Sequence, residues 1–198
     1  MTSAFAVEAA SKLSPAEPLE EPELVERVKR GDAAAFELLV SRHIRRAFSV
    51  AYRLLGHRED AEDLVQESFL IALDRIDSFQ SGRNFGPWFY RILINRGLNA
   101  RRARSLRRTE ALPEEAASSG TSPLRQTEQA ELREHLARAM GELPERQRTI
   151  VKLFELEGFT SGEISQILAV PDGTVRWHLH QARRKLRESL APFERRSS

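Results

Sequence analysis

The chain has no cysteine among its 198 residues. This absence excludes a disulfide framework, a thiolate metal site and a cysteine nucleophile, and it is typical of a reducing compartment. No apolar run approaches the roughly eighteen residues that a membrane-spanning helix needs. The first twenty residues also lack a basic segment before an apolar core. We therefore expect a cytoplasmic protein without a secretory signal and without membrane insertion.

Strand-like alternation of apolar and polar residues is absent as well, and apolar residues recur instead at helical spacing. The predicted fold class is all-α, with two small helical domains joined by a flexible linker, the C-terminal one a helix-turn-helix. The predicted limits are a disordered tail over 1–21, a first domain over 22–108, a linker over 109–123, a second domain over 124–191 and a tail over 192–198. The first tail and the linker are acidic and rich in small residues, a composition that does not build a core.

Capping residues and helix breakers place the individual helices. Asp32 is predicted to cap a long second helix that Gly56 ends, and a third helix is predicted over about 58–76. Pro87 is expected to open the fourth helix. Near the C-terminus, Thr174 is expected to open the last helix after a break.

Charge is nearly balanced, with 31 basic and 29 acidic residues, but the two signs are segregated. Residues 83–108 include eight arginines and no acid, whereas residues 59–77 include seven acids and one arginine. This pattern favours one surface for a polyanion and another for a basic or polar partner. Asp60, Asp63 and Glu67 are spaced to share one helical side. A solvated face is the ordinary interpretation of such a helix, but no basic residue is expected nearby to compensate it.

The last predicted helix has one apolar stripe, and its other sides carry cationic residues. Its apolar residues recur at helical spacing: Val175, Leu179, Ala182 and Leu186. No Asp or Glu occurs between Gly173 and Arg187. A helix with one packed stripe and donors elsewhere suits the major groove of DNA.

Four stretches, in order, resemble the bacterial sigma factors of the short extracytoplasmic-function group, which keeps only regions 2 and 4. GDAAAFELLV resembles the start of region 2, and DAEDLVQESFLIAL resembles its polymerase-binding helix. FGPWFYRILINRGLNARRARSLRR resembles the promoter-melting helix. LPERQRTIVKLFELEGFTSGEISQILAVPDGTVRWHLHQARRKLRESL resembles region 4.

The resemblance implies three sets of binding residues. Residues expected at the −35 element are Thr174, Arg176, Trp177, His180, Gln181, Arg183 and Arg184. Residues expected at the melted −10 element are Gln80, Asn84, Phe85, Asn95, Asn99 and Arg102. Residues expected at the polymerase are Asp60, Asp63, Gln66 and Glu67. The implied partners are the β′ and β subunits of core RNA polymerase, promoter DNA and an anti-sigma factor, with no cofactor.

Several alternatives stand beside this interpretation. Trp88 and Phe89 are expected to be core residues, whereas Phe85 is expected on a loop and available to a base. A metal site at His57, Asp60 and Asp63 is disfavoured because the Gly turns and backbone oxygens of hard-cation loops are missing. We find no catalytic constellation. A free-standing helix-turn-helix regulator would explain only the C-terminal domain, and a hydrolase with a DNA-binding tail lacks candidate residues.

Overall fold

One long helix, α2 (Ala33–Leu55), lies at the centre of the N-terminal half of the protein. The computed structural model describes residues 19–110 and 127–194. The regular elements in those ranges are all helical, which confirms the all-α prediction. The helices are α1 Glu21–Lys29, α2 Ala33–Leu55, α3 Arg58–Asp74, α4 Phe85–Glu110, α5 Thr127–Glu142, α6 Glu145–Val151, α7 Ser161–Leu168 and α8 Asp172–Glu194. A 3₁₀ turn spans Ile76–Ser78 and a π-helical segment spans Lys152–Leu156.

The two ends of α2 follow the predicted signals. The Asp32 carboxylate accepts a hydrogen bond from the Ala35 amide at 3.1 Å. The same carboxylate forms an ion pair with Arg27 at 2.7 Å. Gly56 ends the helix with a φ of 78°, a left-handed conformation that favours glycine. Both predictions are confirmed, whereas α3 ends earlier than predicted because Ile76 belongs to the 3₁₀ turn.

Helices α1, α3 and α4 pack around α2 and bury an aromatic core. The rings of Phe69 and Phe89 stack with centroids 4.3 Å apart. Phe89 is fully buried, as predicted, and Trp88 is half-buried. The fourth helix begins at Phe85, two residues before Pro87. Amides in the first turn of a helix have no helical partner, so a proline is tolerated at any position of that turn and need not be its first residue.

Helix α8 rests on α5, α6 and α7 through the predicted apolar stripe. Val175, Leu179 and Ala182 are buried, which confirms the assignment of this face. The helix starts at Asp172 rather than at Thr174: the amides of Thr174 and Val175 both donate to the Pro171 carbonyl, so the first turn already includes Asp172.

The predicted domain limits stay a prediction. Tail residues 1–18, most of the linker (111–123) and the last residues (195–198) lie outside the described residues. Residues 109 and 110 were expected in the linker, but they continue α4.

Candidate nucleic-acid and polymerase surfaces

The exposed side of α8 forms a cationic groove of about 680 Å³. Its lining residues are Phe154, Ser161, Arg176, Leu179, His180, Arg183, Arg184 and Arg187. Four residues expected at the −35 element therefore share one groove. Positions 176, 180, 183, 184 and 187 recur at helical spacing, which explains why they converge.

The other three expected −35 residues lie outside the lining of this groove. Trp177 is 55 % exposed, and its ring contacts the neighbouring His178 ring with centroids 4.9 Å apart. Gln181 and Thr174 are half-buried. His178 is half-buried as well. Burial lowers the pKa of His178 and the nearby Arg146 lowers it further, so the neutral ring is favoured.

Three arginines of α8 pair with carboxylates, and the longest of the three pairs joins Arg184 to Glu188 of the same helix at 3.8 Å. Arg176 pairs with Asp172 one turn earlier at 2.6 Å, and the Arg176 side chain remains 70 % exposed. Arg183 pairs with Glu155 of the π-helical segment at 2.7 Å, and its guanidinium lies 5.3 Å from the Phe154 ring. The three pairs were not predicted, because all three acids lie outside the acid-free stretch between Gly173 and Arg187.

The acidic side of α3 faces the arginine-rich helix α4. Asp60 pairs with Arg104 at 2.8 Å, and Glu67 pairs with Arg96. The expectation that this side lacks basic compensation is therefore wrong, because residues remote in sequence supply it. Asp63 lies in the same polar cleft of about 410 Å³.

Gln66 is exposed but points elsewhere. It lines an apolar groove of about 570 Å³ between α2 and α3. Further lining residues include Val40, Ile44, Phe48, Val65, Phe69 and Leu70. The structure thus brings Asp60, Asp63 and Glu67 together and separates Gln66 from them.

Most residues expected at the −10 element are exposed. Gln80 and Asn84 lie on the loop before α4, and Asn95, Asn99 and Arg102 lie on α4 itself. The α4 positions are four and three residues apart, so they share one side of that helix. Arg102 Nε also lies 3.3 Å from the Glu145 carboxylate.

Phe85 is the exception among the −10 residues. It begins α4 instead of lying on the loop, and it is 0 % exposed. Its ring packs on the rings of His43, at 5.4 Å, and Phe89, at 5.9 Å. The expectation that Phe85 is available to a base is therefore wrong for this structure, because both ring faces lie in the core.

Metal binding and membrane insertion find no support in what the structure describes. Over 19–110 and 127–194, no three His, Asp or Glu side chains are grouped to hold a metal ion, the region of His57, Asp60 and Asp63 included. Within those same ranges, no helix is both long and apolar enough to cross a bilayer.

Comparison with known proteins gives matches over both halves of the chain. The family described as Sigma-70 region 2 matches residues 39–107, and the family described as Sigma-70, region 4 matches residues 133–186. An ECF RNA polymerase sigma-E factor of Haemophilus influenzae is 35 % identical over 90 % of this chain and 99 % of its own length. The ECF RNA polymerase sigma factor SigE of Mycolicibacterium smegmatis is 37 % identical to this chain. That match covers 81 % of this chain and 65 % of the length of SigE. The solved structure of CnrH in complex with the cytosolic domain of CnrY has a TM-score of 0.64 and 25 % identity, and covers 87 % of this chain and 97 % of CnrH.

Proposed function

Because the chain belongs to the extracytoplasmic-function (ECF) RNA polymerase sigma factors, we propose that it binds core RNA polymerase and directs initiation at promoters with defined −35 and −10 elements. The observation that carries this proposal is the pairing of two surfaces in one chain. The cationic groove of α8 suits duplex DNA. The exposed side of α4 that carries Asn95, Asn99 and Arg102 suits a separated strand.

At the −35 element, Arg176, Trp177, His180 and Gln181 face base edges. An arginine fits a guanine edge and a glutamine fits an adenine edge, each through two hydrogen bonds. Arg183 and Arg184 contact phosphates, and Thr174 lies near the backbone at the start of α8. These contacts orient the helix while the base contacts select the sequence.

At the −10 element, Gln80, Asn84, Asn95, Asn99 and Arg102 contact the non-template strand. Phe85 has no direct role, since its buried ring positions the start of α4. Asp60, Asp63 and Glu67 bind the polymerase through the acidic side of α3. Arg96 and Arg104 hold two of these carboxylates in place, and a basic partner segment has to displace or share those pairs.

The protein acts in the cytoplasm, where the polymerase is, and it performs no reaction of its own. An anti-sigma factor is the proposed regulator, and the solved CnrH structure likewise includes a protein partner, the cytosolic domain of CnrY. The apolar groove between α2 and α3, with Leu70 59 % exposed, offers a surface for such a partner.

Run-off transcription on a promoter library tests the proposal against a free-standing helix-turn-helix regulator. The chain added to bacterial core polymerase is expected to give transcripts that neither component gives alone. A chain that shifts duplex DNA by itself, with no transcript from any library member, supports the regulator instead.

A further inference from the structure

The turn before α4 is fastened to α1 through one lysine. The Lys29 ammonium donates to the Phe79 carbonyl oxygen at 2.9 Å and to the Ser81 hydroxyl oxygen at 3.0 Å. The Ser81 hydroxyl donates in turn to a Glu26 carboxylate oxygen at 2.6 Å, and that oxygen lies 3.4 Å from the Lys29 ammonium. These polar contacts form a network between α1 and residues 50 to 55 positions further along the chain.

The two residues held by Lys29 flank Gln80, whose side chain is exposed. On one side, Phe79 is 4 % exposed, and its ring packs on the Trp88 ring with centroids 5.1 Å apart. On the other side, the turn closes through a hydrogen bond of 3.3 Å from the Arg83 amide to the Gln80 carbonyl oxygen. The backbone is therefore fixed on both sides of Gln80.

A glycine lets the chain reverse inside this turn. Gly82 has a φ of 82°, a left-handed conformation that glycine adopts without a steric penalty. Connecting segments are ordinarily the mobile part of a domain. The contacts from Lys29 to Phe79 and Ser81 oppose that mobility by joining the turn to a helix.

Lys29 is placed to hold the turn and not to bind DNA itself. Only 18 % of its side chain is exposed, and the ammonium lies 5.9 Å from the centroid of the Phe79 ring. An ammonium has three donors, and the Phe79 carbonyl, the Ser81 hydroxyl and the Glu26 carboxylate are available to accept them. The hydrogen bond from Ser81 lowers the pKa of Glu26, so this carboxylate stays charged at neutral pH.

We propose that the network of Lys29, Glu26 and Ser81 fixes the turn over residues 79–84, so that Gln80 is preorganised to read one base of the melted −10 strand. Lys29 and Glu26 are positioning residues, because they act through Gln80 and not on the base. A preorganised turn loses less binding free energy to ordering when the strand binds. The tether rests on the geometry of the network, and its role in base reading rests on the function proposed above.

Backbone order parameters from NMR relaxation test the tether directly in the full chain. Lys29→Met removes the ammonium and keeps a long side chain that favours a helix. The amides of residues 80–83 are expected to have order parameters near about 0.85 in wild type and below about 0.6 in Lys29→Met. Arg30→Met, which removes an equal charge from an exposed position beside Lys29, is expected to match wild type. Unchanged order parameters in Lys29→Met overturn the tether.

A second variant covers a folding failure of the first. Ser81→Ala removes the hydroxyl that joins Lys29 to Glu26, and it does so at an exposed position. The same order parameters are expected to fall, though by less, because the bond from Lys29 to the Phe79 carbonyl remains. A folded Ser81→Ala protein with wild-type order parameters overturns the network as the tether.

Run-off transcription with the polymerase-bound chain tests the role in base reading. The templates are a transcribed library member and its single-base variants in the −10 element. Gln80→Ala identifies the base position at which discrimination depends on Gln80. Lys29→Met is expected to lose discrimination roughly three- to tenfold at that same position and to keep discrimination at the −35 element. Activity that falls by one common factor on all templates overturns the positioning role.

Salt dependence separates positioning from a direct phosphate contact. Binding of the polymerase-bound chain to a forked −10 fragment is measured at several salt concentrations. Lys29→Met is expected to keep the wild-type slope, whereas loss of a phosphate contact reduces the slope by about one. That reduction would overturn the positioning role.

The outcomes for the tether and for the proposed function are distinguishable. Absence of any transcribed library member contradicts the proposed function, and the order parameters still decide the tether. If library members are transcribed but Gln80→Ala changes discrimination at no −10 position, the role in base reading is overturned and the proposed function stands.

Discussion

Arg183 donates two hydrogen bonds, of 3.0 and 2.7 Å, to a single carboxylate oxygen of Glu155. Arg183 comes from the groove-lining side of α8, and Glu155 comes from the π-helical segment that precedes α7. The two side chains are 54 % and 43 % exposed, so water and salt weaken the pair. A DNA phosphate that approaches Arg183 has to compete with this carboxylate.

Removing the competing carboxylate is expected to strengthen DNA binding. Glu155→Gln frees the Arg183 guanidinium, so affinity for −35 duplex should rise several-fold, and the salt slope should steepen by up to about one phosphate contact. Titration of labelled duplex at several salt concentrations measures both quantities. Glu142→Gln on α5 is the matched control and should change neither. An unchanged affinity and slope for Glu155→Gln would show that Arg183 does not contact phosphate.

Reversing the charge on the acidic side of α3 is expected to abolish polymerase binding. Asp63→Lys with Glu67→Lys places two cations where the proposed contact needs anions, and it also leaves Arg96 without its partner. Co-elution with core polymerase on size exclusion measures the effect. The control is Glu23→Lys with Glu37→Lys, an equal change in net charge at exposed positions of α1 and α2. Unchanged co-elution of the α3 variant contradicts the assignment of this surface.

Gly97 lies where α4 crosses α2 and α3. A Cβ at this position would approach side-chain carbons of Leu54 and Leu64 to 3.0 Å. Gly97→Ala gains about 1 kcal/mol of helix propensity but costs about 1–3 kcal/mol through overpacking. We expect the free energy of unfolding to fall by about 1 kcal/mol.

Chemical denaturation of Gly97→Ala and Gly141→Ala checks this expectation. Gly141 lies in α5, and a Cβ added there would meet nothing within 4 Å, so its replacement should stabilise the protein by up to about 1 kcal/mol. If both variants are stabilised equally, the close approach at Gly97 has no energetic consequence.

Acidification is expected to weaken the contact between α1 and α2. A hydrogen bond with His43, at 2.9 Å, holds the pKa of Glu21 below its ordinary value of 4.5. A lowered folded pKa means that this stabilisation is present above the unfolded pKa and is lost as pH falls through the folded value. Wild type should therefore lose more stability than Glu21→Gln as the pH falls from neutral to below the ordinary pKa of 4.5.

Thermal unfolding across this pH range measures the difference. Glu23→Gln, at an exposed position of the same helix, should follow wild type. Parallel pH profiles for wild type and Glu21→Gln contradict the account.

Local signals in the sequence are sufficient to predict most of the helices. The Asp32 cap, the Gly56 stop and the buried stripe of Val175, Leu179 and Ala182 depend on neighbours within a few turns, so spacing alone predicts them. The resemblance to sigma factors then supplies the order of the surfaces along the chain.

Relationships between distant helices could not be predicted in the same way. The burial of Phe85 depends on His43, and the compensation of Glu67 depends on Arg96, in another helix. The close approach of Leu54 and Leu64 to Gly97 is not visible in the sequence either. Glu157 contacts Arg46 and Ser49, which lie more than a hundred positions away in the sequence. Such pairs follow from packing, which periodicity does not encode.

Selection of the −35 element by α8, for a polymerase to which this chain is bound, is the step on which the proposed function depends. It is tested most directly by run-off transcription with wild type and Arg176→Ala, each on a promoter and on the same promoter with a scrambled −35 element. Wild type is expected to discriminate strongly between the templates. Arg176→Ala is expected to lose most of that discrimination, worth about 1–3 kcal/mol for a paired arginine–base contact, while co-eluting normally with core polymerase. An Arg176→Ala protein whose activity falls by the same factor on both templates would contradict selection by α8.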